Sequence, residues 1–160
     1  MGFATHLGPW LLGTVKNTTG TTAGLIRNTG DTIVAQTIPL TYSTINTSLT
    51  GTIGAIPAGA LITSVQYITS TVFSAATTLT VSIGGAAYAA SASTITSVGT
   101  IVPTQQATFA PTANNVGTTD ALVTYTATEA SALTTGSVTI VIAYVVRDSN
   151  GNSFPPANQQ

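Results

Sequence analysis

The sequence predicts an all-β protein, a β-sandwich for which we prefer a jelly-roll topology, with an extended N-terminal arm. Threonine fills about one position in five, and Thr, Val, Ile and Tyr recur in short runs separated by Gly, Asn and Pro. Apolar residues at helical spacing are absent except for a possible turn or two at 127–133. About eight short strands with turns between them indicate a sandwich, and an immunoglobulin-like strand order remains an alternative to the jelly roll.

The chain divides into an arm at 1–31, a sandwich domain at 32–148, and a C-terminal hairpin turn and tail at 149–160. In the arm, turn signals at 17–20 and 28–31 flank a short apolar piece, which predicts one or two short strands.

The first half of the sandwich contains three predicted strands, at 33–42, 45–53 and 61–73. Pro39 marks the first as an edge or broken strand, since proline cannot donate to a ladder. A turn at 56–60 precedes the third strand, because its proline and glycine favour reversal of the chain. Strict alternation in that third strand places one set of side chains on a single face: Leu61, Thr63, Val65 and Tyr67.

The second half opens with Leu79–Ile83, which alternates apolar and hydroxyl side chains, and Gly84-Gly85 then predicts a two-residue hairpin turn. The other expected strands are shorter or weaker: 86–90, 95–102, 107–110 and 122–127. The last long strand, Val138–Arg147, is apolar on both faces, which predicts either a central strand or a contact between subunits.

Charge is scarce, with three basic and four acidic residues, or 4% against about 25% in ordinary domains. No basic patch favours nucleic acid, and no polybasic segment favours a membrane surface. The longest near-apolar stretch, 138–146, is far shorter than the roughly 20 residues of a membrane span. The N-terminus lacks the pattern of a secretory signal, and the absence of cysteine excludes disulfides and thiolate chemistry.

Groups suited to catalysis are few. His6 is the single histidine, without an acid nearby in the sequence, so we interpret it as a contact residue. A glycosidase pair is arithmetically possible, but most of the carboxylates adjoin turns, where Asp caps backbone amides. Residues 148–152 begin like a calcium loop, yet Ser153 stands where that loop requires glycine. We therefore expect no enzyme activity, cofactor or metal. The four carboxylates are Asp31, Asp120, Glu129 and Asp148.

One aromatic segment of the arm is a candidate anchor, because large aromatic side chains dominate many interfaces. It contains Trp10 between a Gly-Pro pair and two leucines. An equal alternative is that this segment packs against the sandwich of its own chain. The outward residues of the last strand are the second candidate surface. The candidate capsid or subunit interface comprises Phe3, His6, Trp10, Leu11, Leu12, Val141 and Val145.

Two stretches carry a resemblance to a known class of protein. Ile56–Val65, with its Pro-Ala-Gly-Ala turn, opens a strand, and Leu133–Tyr144 closes the domain. With Met1-Gly2-Phe3 and the Thr- and Gly-rich lead, the chain resembles small β-rich virion proteins of tailed bacteriophages, especially capsid decoration (cement) proteins.

The resemblance implies a structural subunit, often trimeric, that binds the outside of an assembled capsid and stabilises it by bridging major capsid protein subunits. It implies no catalytic residue. The expected location is the virion surface, after synthesis in the host cytoplasm. The alternative is a tail- or fibre-associated protein, or a bacterial surface module, that recognises host glycan through exposed tyrosines.

Overall fold

The structure, a computed structural model, describes residues 33–146. Nine strands lie in this part of the chain: β1 (Ile33–Thr41), β2 (Thr50–Ile56), β3 (Leu61–Thr71), β4 (Thr77–Ile83), β5 (Ala86–Ala87), β6 (Ser93–Thr94), β7 (Gly99–Ile101), β8 (Ala121–Glu129) and β9 (Ser137–Val145). They form two antiparallel sheets. Sheet A has the order β1-β9-β3-β7, and sheet B has the order β2-β8-β4-β5, with β6 also beside β4.

The two sheets enclose one apolar core, which confirms the predicted all-β sandwich. Successive strands from β1 to β4 and from β7 to β9 alternate between the sheets, whereas β4, β5 and β6 all belong to sheet B. This alternation is compatible with a jelly roll, and that finer topology stays a prediction. The largest fully buried side chains come from both sheets and from the connections between them: Tyr67, Phe109, Leu40, Ile45, Ile56, Leu79, Ile83, Ile95, Ile140 and Ile142.

The last strand is central, as its two apolar faces predicted. β9 lies between β1 and β3 and pairs with both along its whole length. Its inward side chains, including Val138, Ile140 and Ile142, are buried in the core. Its outward side chains are half-buried or buried between those of the neighbouring strands. Sheet B covers the inner face of β9, whereas on its outer face the side chains are shielded only partly, by those of β1 and β3.

The Gly84-Gly85 hairpin turn is confirmed. Both residues have positive φ, +59° and +82°, the combination that a tight two-residue turn requires and that glycine adopts without strain. The return strand is shorter than predicted, because pairing with β4 ends at Ala87. Tyr88 then turns into the core, where its ring meets the edge of Phe109 at a centroid distance of 5.2 Å.

A β-bulge corrects the predicted faces of the third strand. The register of β3 against β9 shifts between Ile62 and Ser64, so Thr63 has no partner in the ladder and its hydroxyl donates to the Ala143 carbonyl at 3.0 Å. The extra residue reverses the alternation. Ile62 consequently shares the core face with Val65 and Tyr67, while Leu61 faces outward.

The prediction of a strand at 45–53 is wrong in its first half. Residues Tyr42–Thr47 form a short helix, α1, which buries Ile45 completely, and β2 begins only at Thr50. The Asn46 side chain fixes the helix to the loop before β9: its Nδ2 donates to the Leu133 carbonyl at 2.7 Å and its Oδ1 accepts from the Leu133 N–H at 3.0 Å. These long-range contacts stabilise a helix that its residue types do not favour.

Three further predictions are wrong. The predicted strand at 95–102 is divided, because Ile95 still bonds to Thr77 in sheet B whereas β7 pairs with β3 in sheet A. The predicted strand at 107–110 is a 3₁₀ turn, Ala107–Phe109, followed by helix α2, Ala110–Asn114, and the turn directs Phe109 into the core. The helical turn considered at 127–133 is absent, since β8 continues to Glu129. Within residues 33–146 no helix has the length and apolar character needed to cross a membrane.

Candidate interaction surface

The ionisable side chains of residues 33–146, apart from tyrosines, are two carboxylates at opposite ends of one strand. Asp120 precedes β8 and Glu129 ends it, so about nine residues of extended chain, roughly 30 Å, separate them. A glycosidase needs its two carboxyl groups within about 5–10 Å, so these two do not form such a pair. Asp120 has a structural contact, because its Oδ1 accepts the Ala58 N–H at 2.9 Å. The described residues contain no cluster of three His, Cys, Asp or Glu side chains.

Tyrosine rings are mostly unavailable for stacking on a sugar. Of the five tyrosines, Tyr42 is the one exposed, at 38%, and the other four are buried. Burial raises the pKa of Tyr67 to about 12 and also raises that of Tyr125. The Tyr125 hydroxyl donates to the Ser48 carbonyl at 2.7 Å. The described part of the chain therefore lacks the exposed aromatic set on which the glycan alternative depends.

Two surface depressions flank sheet B. The first, about 450 Å³, lies between α1 and β2, and its lining is mainly hydroxyl-bearing and includes Tyr125. The second, about 460 Å³, adjoins the Gly84-Gly85 turn and contains Asp120, whose carboxylate already accepts the Ala58 N–H. Neither brings a base together with a nucleophile or a second acid, so neither has the groups of a hydrolytic site.

Sheet A presents the more apolar of the two outer surfaces. We define the outer A face by four cross-strand rows in which β1, β9 and β3 each contribute one residue. None of its side chains is charged, and most are apolar. The rows are Ile33, Val145 and Leu61; Ala35, Ala143 and Ser64; Thr37, Val141 and Gln66; and Pro39, Thr139 and Ile68.

The outer surface of sheet B has a different chemistry. Rows across β2, β8 and β4 place hydroxyl groups beside one another in register, and we define the outer B face by these rows and by Leu122, the exposed apolar residue at its end. Thr78 and Thr128 are hydrogen-bonded to each other across two of the strands. The rows are Thr50, Thr126 and Thr80; Thr52, Thr124 and Ser82; and Thr128 and Thr78. The sandwich thus has one mainly apolar face and one mainly hydroxyl face.

The structure places two of the candidate interface residues together. Val141 and Val145 both belong to the outer A face; Val141 is half-buried between Thr37 and Gln66, and Val145 is buried in the row with Ile33. The other candidates lie outside the described residues, as do the arm and the tail: Phe3, His6, Trp10, Leu11 and Leu12. Sequence reasoning missed the exposed Ile33, Ile68 and Leu122, because only the sheet order reveals which apolar residues lack a covering layer.

Both ends of the described chain lie in the same row of the outer A face. Ile33, its first residue, pairs with Val145, one residue before its last. The described chain thus begins and ends at the same end of sheet A.

Comparison with known proteins gives little guidance. No protein-family model matches the sequence, and no curated protein matches it. Among solved structures, a chain titled "Cyanophage Pam1 capsid asymmetric unit" is similar to this chain, with 16% sequence identity and a TM-score of 0.43, covering 83% of this chain and 98% of that chain.

Proposed function

We propose that the protein is a structural virion protein that binds the outside of an assembled phage capsid and stabilises the shell by bridging major capsid protein subunits. The resemblance of Ile56–Val65 and Leu133–Tyr144 to decoration proteins is the starting point. The outer A face is the observation that carries the proposal, because it offers an uncharged, mainly apolar surface across three strands of the sandwich.

The position of the first described residue also favours the outer A face as the contact with the shell. Residues 1–32 join the sandwich at Ile33, which is 65% exposed and lies in the first row of the outer A face. In this proposal the Trp10 segment supplies an aromatic anchor and the outer A face supplies an apolar contact, and bridging requires two such contacts with neighbouring capsid subunits.

The proposed contact is weakly dependent on salt. The outer A face has no ionisable group, and the two carboxylates of residues 33–146 lie at the ends of β8 in sheet B. Apolar contacts and hydrogen bonds are little screened by ions, whereas charge-driven complexes weaken as the Debye length falls to about 3 Å near 1 M salt.

The direct test is binding to capsids that lack the protein, measured by co-sedimentation in low salt and in about 1 M salt. Val141→Glu inserts a charge into the outer A face and is expected to weaken binding about tenfold or more, because an unpaired carboxylate is costly to bury in a contact. Leu122→Glu is the matched control: Leu122 is also an apolar residue of a central strand, 56% exposed, but on the outer B face.

Full binding by Val141→Glu, with Leu122→Glu unchanged, would overturn the assignment of the outer A face. Release of the wild-type protein by about 1 M salt would contradict an uncharged contact. Immunogold labelling of virions that marks the tail and not the head would refute the decoration role itself.

A further inference from the structure

The four sheet edges of the sandwich differ in how well they are protected from pairing with another strand. On sheet A, β7 has three residues, and on sheet B, β5 has two. The edge strand β2 is interrupted by a register shift between Thr52 and Gly54. Short strands and irregularities are the usual protection of exposed edges. By contrast, β1 has nine residues in unbroken register with β9.

One hydrogen bond just beyond β1 shows which of its residues bond to β9 and which point their backbone groups away from it. The Tyr42 N–H donates to the Gly136 carbonyl at 2.9 Å, next to the opposed pair Thr41 and Ser137. In an antiparallel pair, alternate residues bond to the partner and the intervening residues point their N–H and C=O groups away. The even-numbered residues of β1 therefore bond to β9.

The odd-numbered residues consequently direct their backbone groups to the free edge. Ile33, Ala35 and Thr37 each offer an N–H and a carbonyl there, and their side chains are all exposed. Pro39 has no N–H but loses no bond to β9, because its position also faces the free edge. Within residues 33–146 no strand pairs with this edge, so its open part is Ile33–Thr37, and Pro39 limits it.

We propose that this edge pairs with the same edge of a second copy of the chain, antiparallel and centred on Ala35. Ala35 then opposes Ala35 of the second copy, and Ile33 opposes Thr37 of the second copy on each side of the two-fold axis. All the opposed residues have outward backbone groups, so the contact forms a ladder of about six hydrogen bonds. The pairing stops before Pro39, which has no N–H to donate.

Charge favours a second copy as the occupant. A two-fold contact repeats every residue on both sides of the axis, so a charge close to the axis would lie near the same charge of the second copy. β1 has no ionisable side chain, and neither do the other strands of sheet A apart from tyrosines. Pairing also joins the two outer A faces into one surface and places the exposed Ile33 beside a neighbouring strand. This contact goes beyond the proposed function, because it joins copies of the chain rather than the chain and the shell.

Disulfide trapping tests the register. The chain has no native cysteine, so any disulfide must form between the introduced thiols. Ala35→Cys places two thiols across the axis with Cα atoms about 5.5 Å apart, within the range that a disulfide spans. Ala55→Cys is the matched control, an exposed alanine on the other long edge strand, β2. Under mild oxidation, most of the Ala35→Cys protein is expected to run as a disulfide-linked dimer on a non-reducing gel, while Ala55→Cys stays a single chain.

Association of the unmodified chain is tested by sedimentation equilibrium. Ala35→Lys sets two ammonium groups against each other at the axis and is expected to weaken dimerisation about tenfold or more, whereas Ala55→Lys leaves it unchanged. Added salt restores part of the loss by screening the repulsion. Circular dichroism confirms that both variants fold, since both side chains are exposed.

Three results would overturn the proposal. The first is equal disulfide trapping of Ala35→Cys and Ala55→Cys. The second is a wild-type mass of one chain with the Ala35 and Thr37 amides protected from hydrogen exchange, which would identify residues of the same chain as the occupant. The third is a mass of three chains without trapping at Ala35, as a trimer built on another contact would give.

Discussion

The substitution Gly136→Ala tests how the loop before β9 fits against the core. Gly136 has φ +138°, a backbone conformation that L-amino acids rarely adopt. A Cβ atom added there would lie 2.2 Å from Cδ1, 2.5 Å from Cγ and 2.7 Å from Cε1 of Phe73, whose ring is 3% exposed. The alanine therefore meets both a strained backbone and a side chain that is itself enclosed by the core.

Gly99 separates these two effects. It has the same φ, +138°, but no heavy atom lies within 4 Å of the position its Cβ would occupy. Backbone strain should cost about 1–3 kcal/mol at either site. Crowding against Phe73 adds about 1–3 kcal/mol at Gly136 alone, as overpacking of a core does. Gly136→Ala should thus lower the free energy of unfolding by about 1–3 kcal/mol more than Gly99→Ala, out of a total of about 5–15 kcal/mol.

The assay is urea unfolding followed by circular dichroism, with both alanine variants compared under identical conditions. The effect of alanine on the unfolded chain is shared by the two variants and cancels in the difference. In a Phe73→Ala background, where the three contacting atoms are gone, Gly136→Ala should cost no more than Gly99→Ala does. Equal destabilisation by the two substitutions, within about 0.5 kcal/mol, would refute the crowding argument.

Two other predictions concern individual polar side chains. Burial raises the pKa of Tyr67 from 10.0 to about 12, so the stability that the buried neutral phenol contributes is complete below about pH 10 and is lost as the pH rises towards 12. In Tyr67→Phe the free energy of unfolding should fall less steeply between pH 10 and 12 than in the wild type. An unchanged slope would contradict the raised pKa of Tyr67. Asn46→Ala removes both hydrogen bonds to Leu133 and should lower the free energy of unfolding, measured in urea, by about 1–3 kcal/mol. Thr47→Ala removes one exposed hydrogen bond to the Ser43 carbonyl and should lower it by less. Equal losses in the two variants would argue against a stabilising role for the Asn46 contact.

Local patterns predicted the parts of the fold that depend on neighbouring residues. The Gly84-Gly85 turn needs only two adjacent residues that adopt positive φ, and two consecutive glycines in the sequence meet that need. The two apolar faces of the last strand predicted a central strand or a contact between subunits, and β9 is central in sheet A. Pro39 predicted an edge or broken strand, and β1 is an edge strand. In each case the physical requirement lies within a few residues of the signal.

Short helices escaped prediction for a different reason. Residues 42–47 consist largely of Ser, Thr, Asn and Tyr, which are poor helix formers, and six residues are too few to show a helical period. The helix forms because Ile45 is buried and Asn46 bonds to Leu133, 87 residues away. At 107–109, burial of Phe109 likewise directs the backbone into a turn. No local signal reports such distant partners.

The sequence by itself determined that the protein is a nearly uncharged, Thr-rich β-sandwich, because composition and period-two alternation depend only on the order of residue types. Only the tertiary structure decided which surfaces result. The bulge at Thr63 set the faces of β3, and the pairing of β9 with both β1 and β3 created the outer A face. The same pairing left one edge of β1 without a partner strand in the described part of the chain. Packing of the whole core determines which strands pair, so local sequence patterns do not reveal the strand order.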